Sequence, residues 1–213
     1  MDRQQSRSDR MIQQFDTILR TLMPHAATSQ RGTPAAGVAD GVLDDQERRH
    51  AAGIMRVSHA GEVCAQALYQ GQSLSAKLPH VRKQLDQSAL EEIDHLAWCD
   101  ERLKELHSRS SYLNPLFYVA SFGIGAATGA VSDRISLGFI AATEEQKGKQ
   151  LEVQQQALPV EDHRSRAILR QMAVDESHHA QLALEAGGMR YPGPIKWGMR
   201  LASKAINKGV YHL

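Results

Sequence analysis

Apolar residues recur every three or four positions along most of this 213-residue chain, and no stretch reads as a convincing alternation of apolar and polar residues. That period puts apolar side chains on one face of a helix, so the chain is expected to be all-α. A first amphipathic helix is predicted over residues 7–23, with Met11, Ile12, Phe15, Ile18, Leu19 and Leu22 on its apolar side. Pro24 and the Gly-, Pro-, Ser- and Thr-rich run from Ala26 to Gly41 then break the pattern and predict a loop or mobile linker. The chain therefore divides into an N-terminal helix with a flexible linker, 1–43, and a bundle with a C-terminal amphipathic segment, 44–213.

A long helix is expected from Asp44, whose carboxylate suits an N-cap, to about Lys77. Pro79 suits the first turn of the next helix. That helix runs to about His107, with Leu85, Ala89, Ile93, Leu96, Leu103 and Leu106 as its apolar side. Further helices should follow Asn114-Pro115, begin near Asp133, and follow Pro159, the last of these stopped at Gly187-Gly188. Residues 191–213 read as a final amphipathic helix. Ser110 to Ser132 carries no charged side chain, long enough by length alone to span a bilayer. It also holds Asn114, Pro115, Gly123, Gly125 and Gly129. Two readings follow: a buried helix whose small residues allow close backbone approach, or partial insertion in a membrane.

Composition narrows the chemistry. Only 5% of residues are aromatic, so the core relies on aliphatic side chains and methionine. A net charge of +1 gives no global pull toward nucleic acid. Two cysteines, Cys64 and Cys99, make neither a disulfide framework nor a four-thiolate metal site. They read as small core residues, and free thiols fit a reducing cytosol. The N-terminal run MDRQQSRSDR lacks the apolar stretch of an export signal. Any metal chemistry must use histidines and carboxylates.

Two Glu-x-x-His pairs lie in strongly helical segments, Glu92 with His95 and Glu176 with His179. Residues three apart share a helix face, so each pair can aim a carboxylate and an imidazole at one point. With 12 Glu and 10 His in the chain, chance alone supplies roughly 0.6 such matches. A third match, Glu47 with His50, does exist; its two internal arginines mark it as a solvated face. Spacing supplies what the motif lacks. Glu62, in a small and apolar stretch, precedes Glu92 by 30 residues, and Glu144, in another, precedes Glu176 by 32. The chain thus repeats one unit: a helix with a lone Glu, a turn, and a helix with Glu-x-x-His.

Two such hairpins can pair with all six side chains inward, the known ligand arrangement of ferritin-like di-iron four-helix bundles. Four carboxylates balance two divalent cations, and without metal some of them would have to take up protons. Oxygen and imidazole donors without thiolate suit iron or manganese. Asp94 or Asp175 could orient a ligating imidazole through its other nitrogen, and Glu91 and Glu145 read as surface or supporting groups. His59 and His178 read as satisfied or solvated histidines.

The segments MRVSHAGEVCAQALYQGQ, EEIDHLAWCDERL, SFGIGAATGAVSDRISLGFIAATEEQ and VDESHHAQLALEAGG resemble the demethoxyubiquinol hydroxylases of ubiquinone biosynthesis from about residue 50 onward. The resemblance implies Glu62, Glu92, His95, Glu144, Glu176 and His179 as ligands to two iron ions, with O2 as co-substrate. It implies a monooxygenase acting on the ring of a polyprenylated methoxy-methyl-benzoquinol, on the cytoplasmic face of the cell membrane as a peripheral protein. It also implies either a complex of ubiquinone-biosynthesis proteins or a homo-oligomer. A ferritin-like protein for another oxidation, or for iron storage, shares the ligand pattern and is the alternative.

A lipid quinol requires a membrane-facing mouth. Ser110–Ser132 is one candidate for it. The C-terminal segment is the other, with a basic stripe of Lys196, Arg200, Lys204 and Lys208 and with Trp197, Leu201, Ala205 and Val210 on a different face. A helix of this kind can lie on an anionic membrane. Packing on the bundle with the basic side solvated is the other reading.

Overall fold

A computed structural model describes residues 7–213. Among them are seven helices and no strand: α1 (Arg7–Leu22), α2 (Asp45–Ser75), α3 (Pro79–Glu105), α4 (Asn114–Val131), α5 (Asp133–Ala157), α6 (His163–Glu185) and α7 (Gly193–His212). The expected all-α class and the expected helix starts are realised. Met11's side chain and residues 1–6 lie outside the described residues.

The caps show why the helices begin where they do. Asp44 accepts from the backbone of Gln46 and Glu47, and Glu47 reaches back to the Asp44 backbone, a reciprocal capping box. Pro79 opens α3 without needing its missing N–H. Asp133, at the start of α5, accepts from the backbone N–H groups of Lys77 and Leu78. It thereby fastens the entry of α3 to that of α5. Gly187, with φ of 102°, ends α6 in a backbone conformation that favours glycine.

The two hairpins α2–α3 and α5–α6 form the four-helix bundle, and α4 crosses between them along α2. Gly71 of α2 faces the Phe122 carbonyl and the Ala126 nitrogen of α4, while Gly125 faces the Leu68 carbonyl. A Cβ at either position would collide with backbone, so these glycines set how closely α4 approaches. Of the four apolar clusters among the described residues, two draw on all four bundle helices. One contains Met55, Trp98, Cys99, Leu151 and Met172, and the other contains Tyr69, Leu85, Leu137, Ile140 and Ala183. On all four bundle helices the proposed ligands fall between residues of these clusters.

α4 is not an internal helix: Leu116, Val119, Ile124 and Val131 are exposed, and only one face packs. No helix among the described residues is long and apolar enough to cross a membrane. The segment expected as a loop or mobile linker is irregular and bonds back to the bundle. Ser29, Gln30 and Arg31 all bond Asp94, and Arg102 pairs with Asp40 at 2.7 Å. The discarded Glu47–His50 pair is not simply solvated. Glu47 completes the α2 cap, and His50 bonds the Tyr211 hydroxyl and, at 2.7 Å, the Ala157 carbonyl.

α7 follows the reading of packing on the bundle with Arg200, Lys204 and Lys208 solvated, while Lys196 turns inward to Glu145. Lys196, Met199, Ser203, Asn207 and Val210 meet the bundle, with Ser203 and Asn207 both donating to Gln150. Trp197 and Leu201 are left exposed beside Arg200, Lys204 and Lys208. Against α5 the helix packs by a seam of glutamine amides, while its C-terminal end seats Val210 on Val57 and Ala60 of α2.

Candidate metal centre

Glu62 on α2, Glu92 and His95 on α3, Glu144 on α5, and Glu176 and His179 on α6 all lie in the bundle interior. Each is no more than 2% exposed. Glu62, Glu92, His95 and Glu176 each offer a ligand atom within 4.8 Å of the others. His179 joins through Nδ1, 3.2 Å from Glu92. Glu144 joins through a residue that the sequence reading missed, Lys147.

Lys147 stands one helical turn after Glu144, so it shares that residue's inward face. Its Nζ lies 3.1 Å from Glu62, 3.1 Å from Glu92, 3.2 Å from Glu144 and 2.9 Å from Glu176. One ammonium thus meets all four carboxylates. The i, i+3 relation to Glu144 was the signal available in the sequence; Lys149, off that face, is exposed.

Both imidazoles turn Nδ1 toward the carboxylates and Nε2 away. His95 Nε2 is 2.9 Å from Asp175, and His179 Nε2 is 2.8 Å from Glu91. An outer carboxylate on Nε2 fixes ring orientation and leaves Nδ1 for a ligand. Asp175 therefore takes the orienting role expected of Asp94 or Asp175, and Glu91 does the same for the second histidine. Asp94 instead anchors the N-terminal segment. Arg31 joins these layers: its guanidinium spans Asp94 at 2.7 Å and Asp175 at 2.9 Å and lies over the Trp98 ring. His59 is buried against Asn114, burial pushes its pKa down to about 4, and His178 is exposed. Cys99 packs in the core and Cys64 is half-buried.

The buried charges divide between two protonation states. Burial pushes the Glu62 carboxyl up to about 8, and burial also holds Glu144 well above the usual carboxylate range. Burial acts in the same direction on Glu92 and Glu176, but Lys147 and hydrogen bonds from the two histidines outweigh it and hold both carboxyls low. Burial opposes the charge on His95 and His179, yet hydrogen bonds to the surrounding carboxylates raise both, His179 to about 12. Four carboxylates this close do not all ionise, even beside one ammonium and two imidazolium rings.

The donor set fits divalent metal. Both imidazole Nδ1 atoms face carboxylate oxygens at 3.2–3.7 Å, but neither they nor Glu62 Oε1, Glu92 Oε1 and Glu176 Oε2, all buried, make a well-formed hydrogen bond. Such orphaned polar atoms are costly unless something binds them. All are oxygen or imidazole donors, as hard or borderline cations prefer.

Comparison with known proteins gives the site a context. Residues 49–208 match the family model described as ubiquinone biosynthesis protein COQ7. A 3-demethoxyubiquinol 3-hydroxylase of Chromohalobacter salexigens is 64% identical over 213 residues, covering all of both chains. Enzymes of the same name from Azotobacter vinelandii and Pseudomonas putida are 56% and 54% identical over 212 residues, each covering 100% of this chain and 99% of the relative. The N-terminal segment outside the family model's span is therefore shared with these relatives.

Proposed function

The chain belongs to the family of ubiquinone biosynthesis protein COQ7, and from that premise we propose that it hydroxylates the ring of demethoxyubiquinol at a di-iron centre. Glu62, Glu92, His95, Glu144, Glu176 and His179 are the proposed ligands. The observation that carries this reading is the convergence of all six, from two matching hairpins, with their unpartnered oxygen and Nδ1 atoms turned toward one another. When bound, two irons would supply activation of O2 and transfer of one oxygen atom to the ring.

The chain's own residues do the rest. Asp175 and Glu91 hold the Nε2–H of each imidazole, so both rings present Nδ1 to the metals. Glu62 and Glu144 carry protons while Lys147 and the protonated imidazoles supply the cluster's positive charge, and they release them as metal charge replaces it. The apolar clusters on both sides keep water from the reacting atoms. The substrate is a membrane lipid, and the exposed apolar faces of α4 and α7 support a peripheral seat on the cytoplasmic face of the cell membrane. Assembly there is with copies of itself or with other proteins of the same pathway.

The direct test is a lipid extract from cells lacking this chain. A quinone one methoxy group short of ubiquinone should accumulate, and the wild-type gene, but not a Glu92→Ala copy, should clear it. Normal ubiquinone in the deletion strain would remove the hydroxylase reading and leave another oxidation, or iron storage, as the role of the same ligand set.

A further inference from the structure

A cavity of about 390 Å³ opens between α1 and the paired helices α2 and α3. That is within the range of about 300–1,000 Å³ usual for small-molecule sites. Its inner wall includes Gln66, Tyr69 and Gln70 of α2 and Ala89 and Ile93 of α3. Gln66 and Tyr69 follow Glu62 by one and two helical turns, so one face of α2 runs from the metal-ligand cluster to the cavity. Ile93 is the chain neighbour of Glu92. The Tyr69 ring meets the His179 ring edge-on, with centroids 6.2 Å apart.

The polar atoms of this wall have no partners. Gln66 is fully buried, and both its amide oxygen and its amide nitrogen lack a hydrogen bond. Tyr69, 2% exposed, has an unpartnered hydroxyl. Gln70 receives the Tyr118 hydroxyl on its carbonyl oxygen, which leaves its amide nitrogen without an acceptor. Buried amides and phenols are normally satisfied within the fold. Three neighbouring exceptions lining one cavity mark a place where a ligand supplies the missing partners. Neither the metals nor their supporting residues use these groups.

We propose that this cavity binds the ring of the quinol substrate, with the Gln66 amide and the Tyr69 hydroxyl hydrogen-bonding its ring oxygens. The proposal rests on the hydroxylase reading above. A quinol hydroxyl both donates and accepts, as do an amide side chain and a phenol. A methoxy oxygen only accepts and suits the Gln70 amide nitrogen. Ala89 and Ile93 give the ring its apolar contacts. Leu74 and Leu90, exposed and lining the same cavity, offer the isoprenoid tail apolar contact on its way out past Asp16, Arg20, Arg82 and Asp86.

The test uses the full-length iron-loaded protein without O2 and titrates it with a short-tailed methoxy-methyl-benzoquinol by calorimetry. Iron content and thermal melting are measured on the same samples of wild type, Gln66→Leu and Tyr69→Phe. Both variants should keep their iron and melt no lower than wild type, because each removes an unsatisfied buried group. Each should bind the quinol about tenfold more weakly, the loss of one hydrogen bond. Undiminished quinol affinity with iron retained would show that the cavity holds water or another ligand, with the hydroxylase reading intact. Loss of iron in either variant would make these groups supports of the metal instead. A wild-type protein that binds iron but no quinol would overturn the hydroxylase reading itself.

Discussion

Lys147 Nζ lies 2.9 Å from Glu176 Oε1, at the point where the carboxylates of all four bundle helices meet. A buried ammonium there does what a metal cation would do, supplying positive charge to carboxylates that no water reaches. Metals bound to the proposed ligands would therefore compete with Lys147 for the same oxygens, and the side chain would have to withdraw as they entered.

Lys147→Met is expected to separate the two effects. Metal-stripped protein should melt lower, by roughly 10 °C, because breaking a buried ion pair costs about 3–5 kcal/mol in a domain of this size. Manganese(II) or iron(II) should bind about tenfold more tightly, since no ammonium has to leave. Calorimetric melting and anaerobic metal titration measure the pair. A variant unchanged in both would show that Lys147 is a bystander.

The outer layer has its own consequence. Asp175→Asn should weaken metal binding by roughly 10–100-fold, as loss of an imidazole's orienting carboxylate commonly does. Arg31→Met should give a smaller loss of the same kind, because Arg31 acts through Asp175. Arg31→Lys should recover only part of it, since one ammonium cannot span both Asp94 and Asp175 as the guanidinium does. Metal affinity together with the optical spectrum of the iron-loaded variants separates this positioning role from a general loss of stability. Equal affinity in all three variants would disconnect the N-terminal segment from the centre.

Metal uptake should release protons and tighten as pH rises. Glu62, raised by burial to about 8, and Glu144, raised in the same direction, carry protons near neutrality. The histidines, raised by their carboxylate partners, do so as well. Each must lose its proton to become a ligand. Apparent affinity is therefore lowest in acid and climbs through pH 8 as Glu62 deprotonates. A pH-indicator dye in weak buffer would register the released acid on mixing with manganese(II). An affinity flat between pH 6 and 9 would mean the carboxylates are already ionised beside Lys147.

Much of this centre was legible in the sequence because it depends on local period. Asp44, Pro79, Asn114-Pro115, Asp133 and Gly187 punctuate the chain at helix ends. Glu62 stands out as a lone charge in a small apolar stretch and Glu144 closes another, and the matched spacings pair them with Glu92 and Glu176. Lys147 was hidden among Glu145, Lys149 and Glu152, and only its phase relative to Glu144 distinguishes it. Arg31 was out of reach: it sits in an aperiodic run, 63 residues from Asp94. The seating of α7 was equally unreadable, since a helical period defines two faces but not which one the bundle accepts. Here Gln146 and Gln150 chose the polar one.

That choice leaves Trp197 and Leu201 exposed, at 59% and 46%, beside unburied Arg200, Lys204 and Lys208. An anionic bilayer would cover the former and attract the latter. Removing the whole helix is a poor test. Tyr211 bonds His50 and Arg56 and packs on Gly53, so truncation strips contacts from α2 as well. Trp197→Ser with Leu201→Ser touches only the outward face. Burying each such side chain is worth about 1.5–3 kcal/mol, so the double variant should partition into anionic vesicles at least tenfold less well. Iron content and melting temperature should not change. Wild-type partitioning by the double variant would move the membrane contact to α4, where Leu116 and Val119 are the residues to change next.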